Sequence, residues 1–140
     1  MKVTTETIAA DNVVEMLEKI VEFTKRRHAI LTENILNVVT EDFVPVDLNI
    51  DGFAAVMARA VAEFMDNNRL ILTDVDNITF GANGSFDTPA AVDHHAHSLL
   101  NKDVKEYLRY QIRMYSENLL NKKVAREILK QRQNLQLAAN

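Results

Sequence analysis

The C-terminal third of the chain contains no residue that breaks a helix. Glycine and proline occur at only five positions, which are Pro45, Gly52, Gly81, Gly84 and Pro89. Steps of four and three residues from Leu100 to Leu135 visit eleven positions, and seven of them are apolar. This is the spacing of a coiled-coil seam with polar interruptions, and it predicts a C-terminal helix over 93–137. The stretch from Leu99 to Leu137 would be about 60 Å long at roughly 1.5 Å per residue, so it needs another long helix beside it.

The seam of this helix and the stripe next to it identify the residues that would meet a partner helix. The members of the seam are Leu100, Val104, Tyr107, Gln111, Met114, Asn118, Asn121, Ala125, Ile128, Arg132 and Leu135. The neighbouring stripe consists of Leu108, Ile112, Tyr115 and Leu119. An isolated helix with polar seam members is only marginally stable, so burial against a second helix must supply the missing stability.

A second long helix is predicted over 12–38. Asp11 or Asn12 is the expected N-cap, because a short polar side chain there can accept a hydrogen bond from the first turn. Heptad spacing is kept by Val14, Leu17, Val21, Thr24, His28, Leu31, Ile35 and Val38. His28 could be a metal ligand or a proton shuttle. The same face offers no second metal-binding side chain one turn away, which favours a packed structural histidine.

All five helix breakers lie in the middle, between residues 45 and 89. A helix of about 52–66, capped by Asp51, fits the apolar spacing there. Residues 69–80 are rich in β-branched side chains and predict an extended segment, with a hairpin turn at Asp76-Asn77 as one form of it. The predicted fold is therefore mainly α. Two long terminal helices pack as an antiparallel coiled-coil hairpin or bundle, and the irregular middle insert carries a short helix and a small β element.

Length and composition limit the function classes. With 140 residues, 47% of them hydrophobic, the chain is expected to form a single folded domain. No apolar run is long enough for a transmembrane helix, and no cysteine is present for disulfides, thiol catalysis or most zinc sites. The N-terminus lacks the basic and apolar blocks of a cleaved signal peptide, which predicts synthesis in the cytoplasm without such a leader.

The net charge of −4 is unevenly distributed along the chain. Residues 99–140 contain nine Lys/Arg and four Asp/Glu, whereas residues 1–98 contain seven Lys/Arg and sixteen Asp/Glu. An acidic body with a basic helix predicts pairing of the two parts, within one chain or between chains. The basic residues are spread around the helix and accompany no groove-reading motif, so nucleic-acid binding is not expected.

The strongest local signal for chemistry is Asp93-His94-His95-Ala96-His97. On a helix, His94 and His97 would lie about one turn apart, which makes them weak candidates for a structural metal site. The alternative is that Asp93 caps a helix start whose histidines are simply solvated. No nucleophile motif or phosphate-binding loop is present. The sequence therefore predicts neither an enzyme nor a cofactor.

Two sequence motifs, one in each half of the chain, resemble motifs of one protein family. The matching positions of the first are Arg27, Asn34, Ile35, Asn37, Thr40, Phe43, Asp47, Leu48 and Ile50. The second is Leu108-Arg109-Tyr110-Gln111, preceded along the chain by Asn83-Gly84. They resemble the signature of flagellar basal-body rod proteins, closest to the FlgB-type proximal rod proteins. That signature has an arginine, Asn-Ile-x-Asn, Thr-Pro-Gly-Tyr and Asp-Leu-Asp-Phe, then Leu-Arg/Lys-Tyr-Gln near the last helix; Glu41 and Asp42 stand here in place of its Pro-Gly.

This resemblance implies a structural subunit. Members of the family leave the cytoplasm by the flagellar type III export route without a cleaved signal and build the periplasmic rod that serves motility. The implied partners are further copies of the chain, other rod proteins, the inner-membrane ring and the export gate, with no direct insertion into the membrane. The implied assembly interface comprises Leu17, Val21, His28, Leu31, Asn34, Ile35, Asn37, Thr40, Phe43, Val104, Leu108, Tyr110, Gln111, Met114, Asn118 and Ile128.

Two other functions stay open. One is a cytosolic helical adaptor or export chaperone that binds the helix of a client protein. The other is a metal-dependent enzyme that uses His94, His95 and His97. A concentration-independent monomer with fully formed terminal helices would count against the rod subunit, and bound metal with activity would favour the enzyme.

Overall fold

The computed structural model describes the backbone of residues 5–81 and 85–139 and the side chains of residues 12–81, 85–135, 137 and 138. The helices are α1 (Thr5–Leu36), α2 (Ile50–Asn67), α3 (His94–Lys102) and α4 (Val104–Ala139). The strands are β1 (Val46–Asp47), β2 (Thr79–Phe80), β3 (Phe86–Asp87) and β4 (Ala91–Val92). The family-like pair Asn83-Gly84 lies outside the described residues.

The two long helices α1 and α4 pack antiparallel along their lengths. The Asn118 side chain donates to the Thr24 backbone carbonyl, and the Asn34 side chain donates to the side-chain oxygen of Gln111, so positions rise along α1 as they fall along α4. The predicted mainly helical fold is confirmed, including the irregular insert with its short helix and small antiparallel strand pairs. No helix in the described ranges combines the length and hydropathy that crossing a bilayer requires.

The bounds of the N-terminal helix differ from the prediction. α1 begins at Thr5 and ends at Leu36, so Asp11 and Asn12 lie inside it and neither is its N-cap. A capping residue followed by an acidic first turn also occurs by chance inside helices, and the pattern alone does not distinguish the two. After Leu36 the chain turns, and Asn37 donates its side-chain amide to the carbonyl of Glu33.

The C-terminal helix predicted over 93–137 is divided in two at Asp103. This residue has extended backbone angles (φ −153°, ψ 95°), and its carboxylate accepts hydrogen bonds from the N–H groups of Lys105 and Glu106. Its own N–H donates to the Leu99 carbonyl, which completes the end of α3. A single aspartate thus ends one helix and begins the next without a glycine or proline, and that is why the absence of breakers predicted one continuous helix.

The insert starts with a helix whose cap also differs from the prediction. Asn49 caps α2 by accepting a hydrogen bond of 3.0 Å from Gly52, and Asp51 lies in the first turn instead. β1 pairs with β4 and β2 with β3, both antiparallel. The predicted turn at Asp76-Asn77 is present, because Val75 and Ile78 exchange two backbone hydrogen bonds of 3.0 Å around it.

The hydrophobic core lies between α1 and the insert. Its buried members are Phe23, Leu48, Phe53, Val56, Met57, Ile78 and Phe86. Phe23 of α1 stacks on Phe53 of α2 with ring centroids 4.0 Å apart, and Phe53 in turn packs against Phe86. α1 therefore has two contact sides, one apolar side against the insert and one mixed side against α4. The heptad pattern had predicted only the second.

Candidate functional site

Polar side chains from both ends of the chain meet where α1, β1 and α4 come together. We refer to this cluster as the polar junction, and it comprises Arg27, Asn34, Asp47, Asp93, Tyr107, Tyr110 and Gln111. α1 supplies two of these side chains one heptad apart, and α4 supplies three from adjacent turns. The remaining two carboxylates come from β1 and from the residue that precedes α3. Positions 27–47 and 107–111, which are far apart in sequence, are therefore joined in space.

A buried ion pair forms the centre of the polar junction. The Nε and Nη2 atoms of Arg27 donate to the two carboxylate oxygens of Asp47 at 3.0 and 2.9 Å. The side chains are only 3% and 13% exposed, so water does little to screen the pair. The backbone N–H of Leu48 donates to the same carboxylate at 2.7 Å. Arg27 also contacts the Met114 sulfur, which ties α4 to the pair.

Asn34 connects α1, β1 and α4 at the end of α1. Its side-chain amide donates to the Val46 carbonyl at 2.8 Å and to the Gln111 side chain at 3.2 Å. Its backbone carbonyl accepts the hydroxyl of Tyr107 at 2.7 Å. Carbonyls in the last turn of a helix have no intrahelical partner, so the tyrosine stabilises the end of α1. A substitution at Asn34 would affect all three elements at once.

Asp93 closes the junction from the side of α3. One of its oxygens accepts the Ala96 N–H at 3.0 Å as the N-cap of α3, and the other accepts the Tyr110 hydroxyl at 3.1 Å. Burial, together with the nearby Asp93 carboxylate, raises the pKa of Tyr107 and of Tyr110 to about 12. Both phenols are therefore protonated at neutral pH and act as hydrogen-bond donors.

The hydrogen bonds of the junction connect the ends of the helices to one another. Both oxygens of Asp47 and both oxygens of Asp93 already accept hydrogen bonds from protein donors. The cleft of about 340 Å³ beside them is lined by these carboxylates and by Tyr110 and is open to solvent. In this arrangement the lone pairs that face the protein hold the ends of the helices together.

The predicted assembly residues differ in their exposure to solvent and fall into three groups. Those buried in the hairpin are Leu31, Asn34, Gln111 and Asn118. Those half-buried are Leu17, Val21, His28, Ile35, Asn37, Phe43, Leu108, Tyr110 and Met114. Those exposed are Thr40, Val104 and Ile128. The first group makes contacts within its own chain, and the third is accessible to a neighbour in the folded monomer. That these residues contact other subunits stays a prediction.

The histidines named as candidate ligands lie at the start of α3. His94 and His95 are exposed, His97 is half-buried, and the ring of His95 packs edge-on against Tyr110. Among the side chains of residues 12–81, 85–135, 137 and 138, no three His, Cys, Asp or Glu come close enough to hold a metal ion. His28 packs its ring 5.0 Å from that of Tyr115 in the seam.

The predicted assembly interface leaves out the two residues at the centre of the polar junction. Arg27 and Asp47 belong to the family resemblance but not to the predicted interface, although they form the buried ion pair. Their spacing of twenty residues across a turn gives no periodic signal. The resemblance is the one signal that marked both of them.

Large apolar side chains are exposed along the outer surface of α4. They are Val104, Ile112, Leu119, Leu120, Val124, Ile128, Leu135 and Leu137, and each is at least 41% exposed. Exposed aliphatic side chains in a row typically mark a surface that meets a partner. Comparisons of the chain with protein-family models, with curated proteins and with solved structures found no match.

Proposed function

We propose that this chain is a structural subunit of the bacterial flagellar basal-body rod, of the proximal type, which self-assembles into a helical axial structure. The observation that carries the proposal is the polar junction. The two motifs of the resemblance contact each other directly there, through the hydrogen bond between the side chains of Asn34 and Gln111. Side chains that hold a fixed shape are what a building block of a filament requires.

The turn after α1 supports the same proposal. Phe43 donates its N–H to the Thr40 carbonyl, which closes a four-residue turn around Glu41 and Asp42. Asp42 has a φ of 60°, in the left-handed region that glycine adopts freely. Proline followed by glycine favours a turn with this positive φ at its third residue. The backbone of this chain therefore has the turn that the family's Pro-Gly favours, although the residues differ.

The exposed apolar side chains of α4 provide a second line of support. A monomer gains nothing from aliphatic side chains in water, whereas packing them against neighbours releases roughly 25 cal/mol for each Å² of apolar surface buried. A contact between unlike surfaces that does not close on itself produces an open helical filament. The long hairpin offers such surfaces along its length.

Export is the property that separates this proposal from its main alternative. We expect the chain, produced in the source bacterium, to reach the periplasm only when the flagellar export apparatus is intact. Deletion of the gene should abolish motility and leave basal bodies without a complete rod in electron micrographs. Retention in the cytoplasm together with motility of the deletion strain would contradict the proposal. A cytoplasmic marker protein controls for lysis.

The alternative is a helical adaptor or export chaperone that binds a helix of a client protein. The observation in its favour is a cleft of about 350 Å³ on the outer surface of α4, lined by Leu119 and by several cations, which suits an acidic amphipathic helix. A chaperone stays in the cytoplasm and co-purifies with a client there, so the same export experiment decides between the two.

A further inference from the structure

The distal half of α4 carries a cluster of basic side chains. We call it the cationic face, and it comprises Leu119, Lys122, Lys123, Arg126 and Lys130, with the acidic Glu127 among them. None of its four basic side chains forms an ion pair with a side chain that the structure describes. The face begins one residue after Asn118, so it is turned about 100° around α4 from the contact with α1. Several like charges around an exposed leucine are unfavourable unless an anionic partner covers them.

The N-terminal half of α1 carries the complementary charge. From residue 5 to residue 22 the sequence holds five Asp/Glu and one lysine. Among the described side chains, Glu15, Glu18 and Glu22 are at least partly exposed. Their spacing places them on one side of α1, turned away from Thr24 and therefore from α4. Glu22 shares its charge with Arg26 at 3.0 Å, and we call the three glutamates the acidic face.

The two faces lie at the same height along the hairpin but on different sides of it. Thr24 contacts Asn118, and the helices run antiparallel, so residues 15–22 lie beside the stretch from Leu120 to Glu127. The acidic face lies on the side of α1 away from α4, where Glu18 and Glu22 line a cleft together with Lys19, Arg26 and Phe86. Lysine and arginine side chains of α4 cannot reach across that width within one chain. A second copy placed alongside, with little shift along the axis, can bring the two faces together.

We infer that the cationic face of α4 docks on the acidic face of α1 of a second copy of this chain. The contact joins unlike surfaces of parallel subunits, so each subunit has one free face of each kind and assembly continues sideways. The charge pairs set the orientation and the register, and Leu119 adds apolar surface at the centre of the contact. The inference rests on the proposed function, since it names the contact by which the subunits of such a structure would meet.

Charge reversal tests this contact. Variant A carries Lys123→Glu, Arg126→Glu and Lys130→Glu, and variant B carries Glu15→Lys, Glu18→Lys and Glu22→Lys. In analytical ultracentrifugation at low salt we expect the native chain to form oligomers that grow with concentration, and each variant alone to stay monomeric. An equimolar mixture of A and B should assemble again, into oligomers in which the two variants alternate, because α4 of each variant carries the charge opposite to that on α1 of the other. A chain that carries all six changes should assemble again.

Two controls separate the contact from a general effect of charge. Lys102→Glu with Lys105→Glu changes two charges outside the cationic face and should leave the oligomers unchanged. Circular dichroism of A and B should match that of the native chain, and assembly of the mixture itself requires both variants to be folded.

Other outcomes would overturn either the docking or the proposed function, and they distinguish between the two. If the native chain assembles but A and B do so equally well, or their mixture stays monomeric, the docking is wrong, whereas export and the rod phenotype can still support the proposed function. If the native chain binds phosphatidylglycerol vesicles and does not associate with itself, the cationic face belongs to a membrane surface instead. Loss of export with intact docking would overturn the rod function alone.

Discussion

At the scale of single residues, the buried pair of Arg27 and Asp47 is the most consequential interaction. The planar guanidinium gives two parallel hydrogen bonds that a lysine ammonium could not reproduce. Removing one partner leaves a charge in a place where water has little access. The pair thus holds α1 to β1 because separating the two charges costs free energy, and not because the pair itself adds much net stability.

Arg27→Met should therefore be strongly destabilising. We expect the free energy of unfolding to fall by about 3 to 5 kcal/mol, because Asp47 keeps its charge but loses its partner. The double variant Arg27→Met with Asp47→Asn should recover part of this loss, since the amide is neutral and its oxygen still accepts from Leu48. Urea unfolding followed by circular dichroism measures both. Equal losses in the single and double variants would show that the charge is not the cause.

The buried tyrosines make the fold sensitive to alkaline pH. The pKa of Tyr107 and of Tyr110 is about 12 in the folded chain because of burial and of the nearby Asp93 carboxylate, whereas an exposed tyrosine has a pKa of about 10. Between these values the unfolded chain releases protons that the folded chain retains, so stability is full below about pH 10 and falls as the pH rises towards about 12. Tyr107→Phe and Tyr110→Phe should each flatten this fall in thermal unfolding. An unchanged slope in both variants would assign the fall to other groups.

At the scale of elements, the turn between α1 and β1 can be tested by glycine. Asp42→Gly should be more stable than Asp42→Ala by about 1 kcal/mol, because a left-handed residue with a Cβ atom is strained. The native aspartate should fall between them, since a short polar side chain tolerates this conformation better than alanine does. Chemical denaturation of the three proteins gives the order. If alanine equals glycine, the turn of the free protein does not have the positive φ.

Periodicity was enough to predict the two long helices and their antiparallel packing. A long apolar seam without glycine or proline is compatible with few structures other than a helix that packs against another helix. Periodicity could not predict the division at Asp103, because there an aspartate ends one helix and caps the next without a glycine or proline. Nor could it show that α1 has two contact sides. Burial of Arg27 depends on Asp47, and a local pattern contains no information on a partner twenty residues away.

The polar seam between α1 and α4 is also an element-scale feature. Gln111 and Asn118 are fully buried, yet the Nε2 atom of the first and the Oδ1 atom of the second have no protein partner among the described residues. Unpaired buried polar atoms lower the stability of the contact, whereas polar seam members fix its register. The polar seam therefore fixes the register of the hairpin but adds little to its stability. This suits the proposed subunit, which would gain stability on assembly.

At the scale of the whole molecule, charge and apolar surface are concentrated in the same half of the hairpin. Besides the cationic face, the distal half of α4 carries a second exposed stripe of Leu120, Val124 and Ile128, spaced by four residues. Two different flanks of one helix allow contacts with two different neighbours. The proposed function as a rod subunit would require at least two such contacts, one sideways and one along the axis.

The second stripe yields a test of assembly that leaves the fold intact. Ile128 is 41% exposed, so Ile128→Asp should change the free energy of unfolding by no more than about 0.5 kcal/mol. It should nevertheless abolish assembly, because it places a charge in the middle of an apolar contact. Leu17→Asp should abolish assembly as well, with loss of stability because that residue is half-buried. Met65→Asp, at a residue 77% exposed on α2, is the control and should assemble normally in light scattering. If filaments or motility survive Ile128→Asp, this stripe faces water in the assembled state.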